Sequence, residues 1–338
     1  MRPGPARPVV DRVLVDGLTS PWGLAFLPDG AALVSERDTA RIRFVPRGGG
    51  SARTLGTVPG VRHGGEGGLL GLAVGPGFAA SRWVYAYYTT GQGNVVARIP
   101  VRGTGGPTHW RLGPPEMLVH GITSASRHNG GRIAVGPDGM LYVSTGDAGR
   151  PDLAPRPGSL NGKILRVTLS GRPAPGNPRP GSPVYTRGHR NVEGLAWDAA
   201  GRLWASELGE HSFDELNRIR AGRDYGWPTV EGFAHGRGHG AYVDPAVVWR
   251  TDEASPSGLA YSAGSLWMAA LHGERLWQVP VSRDGTTGTP RDWFVGRWGR
   301  LRTVAAAPDG SLWLMTSSTD GRGDPLPGGD RIIRLRLR

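Results

Sequence analysis

The chain has 338 residues, including 56 Gly, 29 Pro and no Cys, and its 40 Lys and Arg against 28 Asp and Glu give a net charge of +12. The lack of cysteine excludes disulfides and thiolate metal sites, and no apolar run approaches the ~18–20 residues that span a bilayer. Lys163 is the only lysine, and the arginines are scattered rather than grouped in a run, so the charge gives no reason to expect nucleic acid as a partner.

After a first apolar run, Arg12-Val13-Leu14-Val15, one pattern recurs six times: strand, turn, strand, strand. Unit one reads Gly23-Leu24-Ala25-Phe26, the turn Pro28-Asp29-Gly30, Ala32-Leu33-Val34 and residues 42–45. Unit two reads Gly71-Leu72-Ala73-Val74, Pro76-Gly77, Trp83-Val84-Tyr85 and 95–99. Unit three reads Arg132-Ile133-Ala134-Val135, Pro137-Asp138-Gly139, Leu141-Tyr142-Val143 and 164–167. Unit four reads Gly194-Leu195-Ala196-Trp197, Ala200-Gly201, Leu203-Trp204-Ala205 and 216–219. Unit five reads Gly258-Leu259-Ala260-Tyr261, Ala263-Gly264, Leu266-Trp267-Met268 and 276–279. Unit six reads Thr303-Val304-Ala305-Ala306, Pro308-Asp309-Gly310, Leu312-Trp313-Leu314 and 332–335. The runs are short, β-branched or aromatic, and punctuated by Gly and Pro, as strands are. No segment keeps a 3.6-residue apolar period, so helix is a minor component.

From residue 23 to residue 303 the first strands recur in five steps of about 56 residues, which suits four-stranded antiparallel blades. The expected fold is all-β, a six-bladed β-propeller. Unit six has no fourth strand of its own, and residues 12–15 can supply it and close the ring. Residues 9–338 are expected to form this single domain, after an N-terminal tail of residues 1–8; segments 171–183 and 321–329 read as loops.

The first strand of each blade lines the channel, so residues just before it meet at one mouth. They include Trp22, His63, Glu66, His128, Asn129, Arg132, Arg190, Asn191, Glu193, Arg300 and Arg302. Sequence-distant polar groups converging on a concavity mark a ligand site. His128 is the candidate general base, since imidazole titrates near neutrality. Asp147 ends the strand antiparallel to the one His128 precedes, so the hairpin sets the carboxylate beside the ring. Arg190 and Asn191 offer a cation and an amide suited to an oxyanion or quinone oxygen. Arg300 and Arg302, two apart, share a face, which suits a polycarboxylate or phosphate ligand or a loop anchor. The acidic run 207–215 offers oxygens to calcium but lacks EF-hand spacing. From the residues alone, a calcium-dependent lactonase-type hydrolase and a cofactor-less propeller that binds a glycan or a protein also stay open.

Several segments together resemble the soluble PQQ-dependent glucose/sorbosone dehydrogenase family, in its aldose sugar dehydrogenase branch. They are Glu66-Gly67-Gly68-Leu69-Leu70-Gly71, Arg127-His128-Asn129-Gly130-Gly131, Thr145-Gly146-Asp147, Leu160-Asn161-Gly162-Lys163-Ile164, Gly188-His189-Arg190-Asn191, Asp214-Glu215-Leu216-Asn217 and Asp224-Tyr225-Gly226-Trp227-Pro228. The resemblance implies a six-bladed propeller that binds pyrroloquinoline quinone (PQQ) and Ca²⁺ over the channel mouth. It implies that His128 takes the proton of the anomeric hydroxyl of an aldose while hydride passes to the quinone. Asp147 would orient His128, and Arg190 would polarise the quinone with Asn191 alongside. Arg300 and Arg302 would hold cofactor carboxylates, and the carbonyls of Gly209 and Glu210 the metal. Three positions depart from the well-known members: Glu66 replaces a Gln facing the cofactor, Leu208 a polar metal ligand, and His272 stands near an expected cofactor-binding Lys. The resemblance further implies a small sugar substrate, an external electron acceptor and a periplasmic or secreted location. Residues 1–10 lack a signal peptide's apolar core, so either the protein is cytoplasmic or a leader has been removed.

Overall fold

The computed structural model describes residues 6–236, 240–325 and 327–338. They form six antiparallel sheets in a ring, each running from an inner strand at the channel to an outer strand at the rim. Blade one is Pro21–Phe26, Ala32–Glu36, Arg41–Val45 and Arg53–Thr57. Blade two begins at Leu69–Val74 and carries a short extra strand, Arg111–Leu112, beside Gly93–Arg102. The inner strands of blades three to six are Ile133–Val135, Val192–Trp197, Pro256–Ser262 and Leu301–Ala306. Blade six is completed by the first strand of the chain, Pro8–Leu18, which pairs with Asp330–Leu337 from Pro8 opposite Leu337 to Leu18 opposite Asp330. The ring is therefore closed by hydrogen bonds between the two ends of the chain. The closing strand is longer than residues 12–15, and its pairing begins inside the segment read as a tail: Arg7 and Arg338 exchange backbone bonds of 2.7 and 3.0 Å. Among the described residues the α-helix content is one four-residue turn, Phe78–Ser81.

The repeated Gly of the inner strands has a steric cause. A Cβ on Gly23 would sit 2.7 Å from the Leu70 carbonyl of the next blade; on Gly71 it would sit 2.1 Å from the Gly131 carbonyl. Neighbouring inner strands approach too closely there for any side chain. Hydroxyls bridge the same gap. Ser35 Oγ donates to the Leu70 carbonyl at 2.5 Å, Ser144 Oγ to Val192 at 2.7 Å and Ser206 Oγ to Ser257 at 2.6 Å. Between blades six and one, Thr303 Oγ1 donates to the Trp22 carbonyl at 2.7 Å. The inter-blade layers are filled by the second strands, whose Trp204, Trp267 and Trp313 are among the largest fully buried side chains. Each buries on the order of 200 Å² of mostly apolar surface. Trp313 of blade six meets Phe26 of blade one edge-on at 4.9 Å, so the core runs across the seam that the terminal strand closes. The channel itself is narrow, a cavity of about 240 Å³ lined largely by Leu and Ala of the inner strands.

Candidate active site at the channel mouth

His128 sits where the chain enters blade three, with φ +56° and 6% of its surface exposed. Its Nδ1 lies 2.7 Å from Asp147 Oδ1. Asp147 is fully buried and accepts two further bonds, from Gly149 N–H at 2.7 Å and from Trp227 Nε1–H at 2.9 Å. Burial alone would raise the Asp147 pKa, but the His128 contact, Trp227 and Gly149 together hold it below the usual carboxylate range. The carboxylate is thus ionised, and as a buried acceptor it favours the tautomer that carries the proton on Nδ1 of His128. That leaves Nε2 as the acceptor, and it has no partner among the described residues. His128 forms part of the wall of a cleft of about 650 Å³, with Arg127, Glu210, Phe213, Trp227 and Phe233 around it.

Blade four repeats the dyad with a different outcome. His189 Nδ1 lies 2.8 Å from Glu207 Oε2, but its Nε2 is bonded to Thr186 Oγ1 at 2.9 Å and its ring is stacked on Tyr225 at 4.6 Å. With both nitrogens engaged and no exposed surface, His189 is a packing element. Glu207 also accepts the Arg190 backbone N–H at 2.5 Å. The Arg190 guanidinium is 5.7 Å from the Trp227 ring and is held by Glu210: Nε donates at 2.6 Å, Nη2 also pairs with it, and Nη1 reaches the Leu208 carbonyl at 3.2 Å. Burial raises the Glu210 pKa, and Arg190 more than offsets that and keeps it low.

Beside the cleft, over the channel, lies a cationic slot. Its floor is Trp22, with Arg132 at 4.2 Å and Arg302 at 5.7 Å from the ring. Arg300 binds Asp320 Oδ2 at 3.0 and 3.1 Å, and Arg302 pairs with Glu193 at 2.7 Å and with Asp320 at 3.4 Å. Buried Arg302 Nε has no partner among the described residues. Arg132 is pushed down to about 9, burial and Arg302 outweighing Glu193. Arg37 donates to the Asp320 carbonyl at 2.9 Å, and Arg322 pairs with Glu66 at 2.9 Å.

Of the ten residues picked from the sequence, His128, Asp147, Arg190, Glu66, Arg300, Arg302 and the Gly209–Glu210 loop come together around this mouth. Asn191 stands behind it: its Oδ1 accepts Gly130 N–H at 2.9 Å, and it is buried. His272 is exposed and borders neither cavity; its neighbour Leu271 faces the slot. The Gly209 and Glu210 carbonyls accept no hydrogen bond among the described residues, while the Glu210 carboxylate is taken by Arg190. Trp227, Glu231, Asp320, Arg37 and Arg322 were not singled out individually. Glu231 Oε1 folds the 209–213 loop by accepting the N–H groups of residues 210 to 213 at 2.7, 3.0, 3.0 and 3.2 Å. Glu207 ends the second strand of blade four, and Arg37 follows the end of the second strand of blade one (Ala32–Glu36) as Asp147 follows that of blade three (Leu141–Ser144), so the hairpin rule applied to every blade finds them.

Residues 18–333 match the model of the family described as Glucose / Sorbosone dehydrogenase. The chain belongs to this family. A solved relative, the PQQ-bound form of an aldose sugar dehydrogenase from Streptomyces coelicolor, is 51% identical over 99% of each chain, with a TM-score of 0.94. Quinoprotein glucose dehydrogenase B of Acinetobacter calcoaceticus is 34% identical over 69% of this chain and 55% of its own length. The aldose sugar dehydrogenase of Escherichia coli K12 is 29% identical over 91% of this chain and 90% of its own.

The slot of this family member suits a planar polycarboxylate. Guanidiniums match carboxylates in geometry, Arg302 holds an unused buried donor, and the slot, about 30 Å³ as it stands, admits the carboxylate edge of such a ligand, the rest lying over the mouth. A divalent cation finds less: among the described residues no three His, Cys, Asp or Glu are grouped to hold one, and the loop offers the two unused carbonyls.

Proposed function

We propose that this protein is a PQQ-dependent aldose dehydrogenase that oxidises the anomeric carbon of a sugar to the lactone. One observation carries the reading: an imidazole held by a buried carboxylate, with Nε2 unengaged, opens on a sugar-sized cleft next to an arginine-lined slot. When bound, the quinone supplies the hydride acceptor. The slot guanidiniums of Arg300 and Arg302 would hold its carboxylates, and the carbonyls of Gly209 and Glu210 would hold Ca²⁺. His128 Nε2 takes the proton of the anomeric hydroxyl, and the ionised Asp147 stabilises the imidazolium that results. The walls formed by Trp227, Phe213 and Phe233 supply apolar faces against which a sugar ring packs and from which water is displaced. An external acceptor must reoxidise the cofactor, and a periplasmic or exported location would fit the family resemblance.

A lactonase-type metal centre could recruit Glu66, Asn129, Asn191 and Asp147, but each is hydrogen-bonded within the protein. Glu66 serves His128 and Arg322, Asn129 bonds Asn94 and Ala125, Asn191 serves Gly130, and Asp147 serves His128 and Trp227.

The test is reconstitution of the purified protein with PQQ and Ca²⁺, followed by dye reduction over a panel of aldoses. Turnover should require PQQ and be strengthened by Ca²⁺, and His128→Ala should lower kcat by roughly 10²–10⁴-fold with PQQ binding retained. Wild-type turnover by that variant would overturn the assignment of the base.

A further inference from the structure

Glu66 is a carboxylate at the edge of a slot suited to an anion, and two contacts define what it does there. Its Oε2 accepts the backbone N–H of His128 at 2.6 Å. Its Oε1 pairs with Arg322 Nη1 at 2.9 Å. The first contact bears on a strained residue. His128 has φ +56°, a region that costs a residue with a Cβ about 1–2 kcal/mol. Three groups hold this stretch in place: Glu66 on the His128 N–H, Ala148 N–H on the His128 carbonyl at 3.1 Å, and the Tyr87 hydroxyl on the Asn129 carbonyl at 2.8 Å. Glu66 is itself pinned, since its own N–H donates to the Ser126 carbonyl at 2.9 Å.

The second contact crosses the mouth. Glu66 precedes blade two and Arg322 belongs to the loop of blade six, with blade one between them. Arg322 N–H donates to Asp320 Oδ1 at 3.0 Å, and Asp320 Oδ2 binds Arg300 and Arg302. The Glu66 and Arg322 side chains are 23% and 54% exposed. An ion pair this accessible adds little to folding stability, whereas it cancels a negative charge where an anionic ligand must approach.

We infer that Glu66 is a positioning residue for His128 and that Arg322 is its counter-ion, the element that makes a carboxylate compatible with an anionic cofactor. The carboxylate gives a charge-assisted acceptor for the strained peptide, and Arg322 removes the repulsion that this acceptor would otherwise exert on the cofactor. The inference rests on the cofactor reading above for its second half only.

The test compares Glu66→Ala, Glu66→Gln, Arg322→Ala and the double variant Glu66→Gln/Arg322→Ala. Amide hydrogen exchange of residues 126–130 is measured on the protein without cofactor. PQQ affinity is read from quenching of tryptophan fluorescence, and kcat and KM from dye reduction. Glu66→Ala should speed exchange of the segment about tenfold and lower kcat by roughly 10–100-fold with the sugar KM little changed, the cost of a displaced base. Glu66→Gln should rescue both, because its amide oxygen accepts the same N–H. Arg322→Ala should weaken PQQ about tenfold, and by about threefold or less in the Glu66→Gln background, since the repelling charge is then gone. Wild-type exchange and kcat in Glu66→Ala would overturn the positioning role. Equal losses of PQQ affinity in both backgrounds would overturn the counter-ion role. If the wild-type protein oxidises no aldose, the proposed function fails, and hydrogen exchange still decides whether Glu66 holds the His128 segment.

Discussion

Replacing Asp147 by Asn changes one atom, and the structure says what that atom does. The carboxylate accepts three donors: His128 Nδ1–H at 2.7 Å, Gly149 N–H at 2.7 Å and Trp227 Nε1–H at 2.9 Å. An amide has one acceptor side. If its oxygen faces His128 and Gly149, its NH₂ confronts the Trp227 N–H and one buried bond is lost, at about 1–3 kcal/mol of stability. If the oxygen faces Trp227, the NH₂ meets His128 Nδ1, and the ring proton moves to Nε2, the atom required to accept. In either orientation the imidazolium that the proposed mechanism forms during turnover loses its anion. Two unit charges about 4 Å apart at an effective dielectric of about 20 are worth about 4 kcal/mol, or roughly 10³-fold in rate. The expected result is therefore a kcat lowered about 10³-fold, with PQQ affinity held within severalfold and the fold retained by circular dichroism. Steady-state dye reduction with the reconstituted variant measures it. A kcat within about fivefold of wild type would mean that His128 does not take a proton with the help of Asp147.

Two further substitutions test the ionisable groups behind the mouth. Glu215 is pushed up to about 8 by burial and by the charge of Glu207, while an unfolded Glu titrates near ~4.3. The native state holds a proton that the unfolded chain releases, so the stability this group contributes is complete below about 4.3 and is lost as pH rises through about 8. Glu215→Gln keeps an acceptor for Gly232 N–H, which Glu215 binds at 2.8 Å; calorimetry should find it similar to wild type at pH 5 and more stable at pH 9, and parallel curves would refute the account. Lys163 is fully buried and donates to the carbonyls of Leu153, Ala154 and Asn161 at 2.9, 2.7 and 2.7 Å. Lys163→Met leaves the Asn161 carbonyl without a donor, while Leu153 and Ala154 keep the N–H groups of Arg156 at 3.3 Å and Gly188 at 3.1 Å, and should lower the unfolding free energy by about 1–3 kcal/mol; a loss under about 0.5 kcal/mol by denaturant titration would show that water replaces the ammonium.

The architecture was legible because sterics wrote it into the sequence at fixed intervals. Gly23, Gly71, Gly194 and Gly258 recur where neighbouring inner strands leave no room for a Cβ, and a Trp or Tyr recurs in five of the six second strands, where buried rings such as Trp204, Trp267 and Trp313 fill the layers between blades. His128 and Asp147 were legible for a related reason: antiparallel pairing sets the start of one strand beside the end of the next. That rule could not separate His128 from His189, whose dyad is equally good; the difference lies in Thr186, from the outer strand of blade three, and Tyr225, from a loop. Loops also conceal the rest. Arg322 reaches Glu66 by a path across blade one that no local pattern encodes. His272 and Leu271 differ by one position, and the turn decides which of them faces the slot.

The two halves of the mouth are organised on opposite principles. Around His128 every bond is already made except the one on Nε2, so as the proposed base it would act without rearrangement, the condition under which electrostatic stabilisation is most effective. In the slot the cations already have anions: Arg302 has Glu193, Arg300 has Asp320 and Arg322 has Glu66. Leaving the buried guanidiniums of Arg300 and Arg302 unpaired would cost several kcal/mol each, so the protein needs internal counter-ions there to fold in the absence of a ligand. A ligand carboxylate must then share or displace them, and its affinity is a difference between two sets of ion pairs. Asp320 joins Arg300 and Arg302 and, through its backbone oxygen, Arg37. On the proposed reading, the acids of the slot would therefore set cofactor affinity together with the arginines that face it.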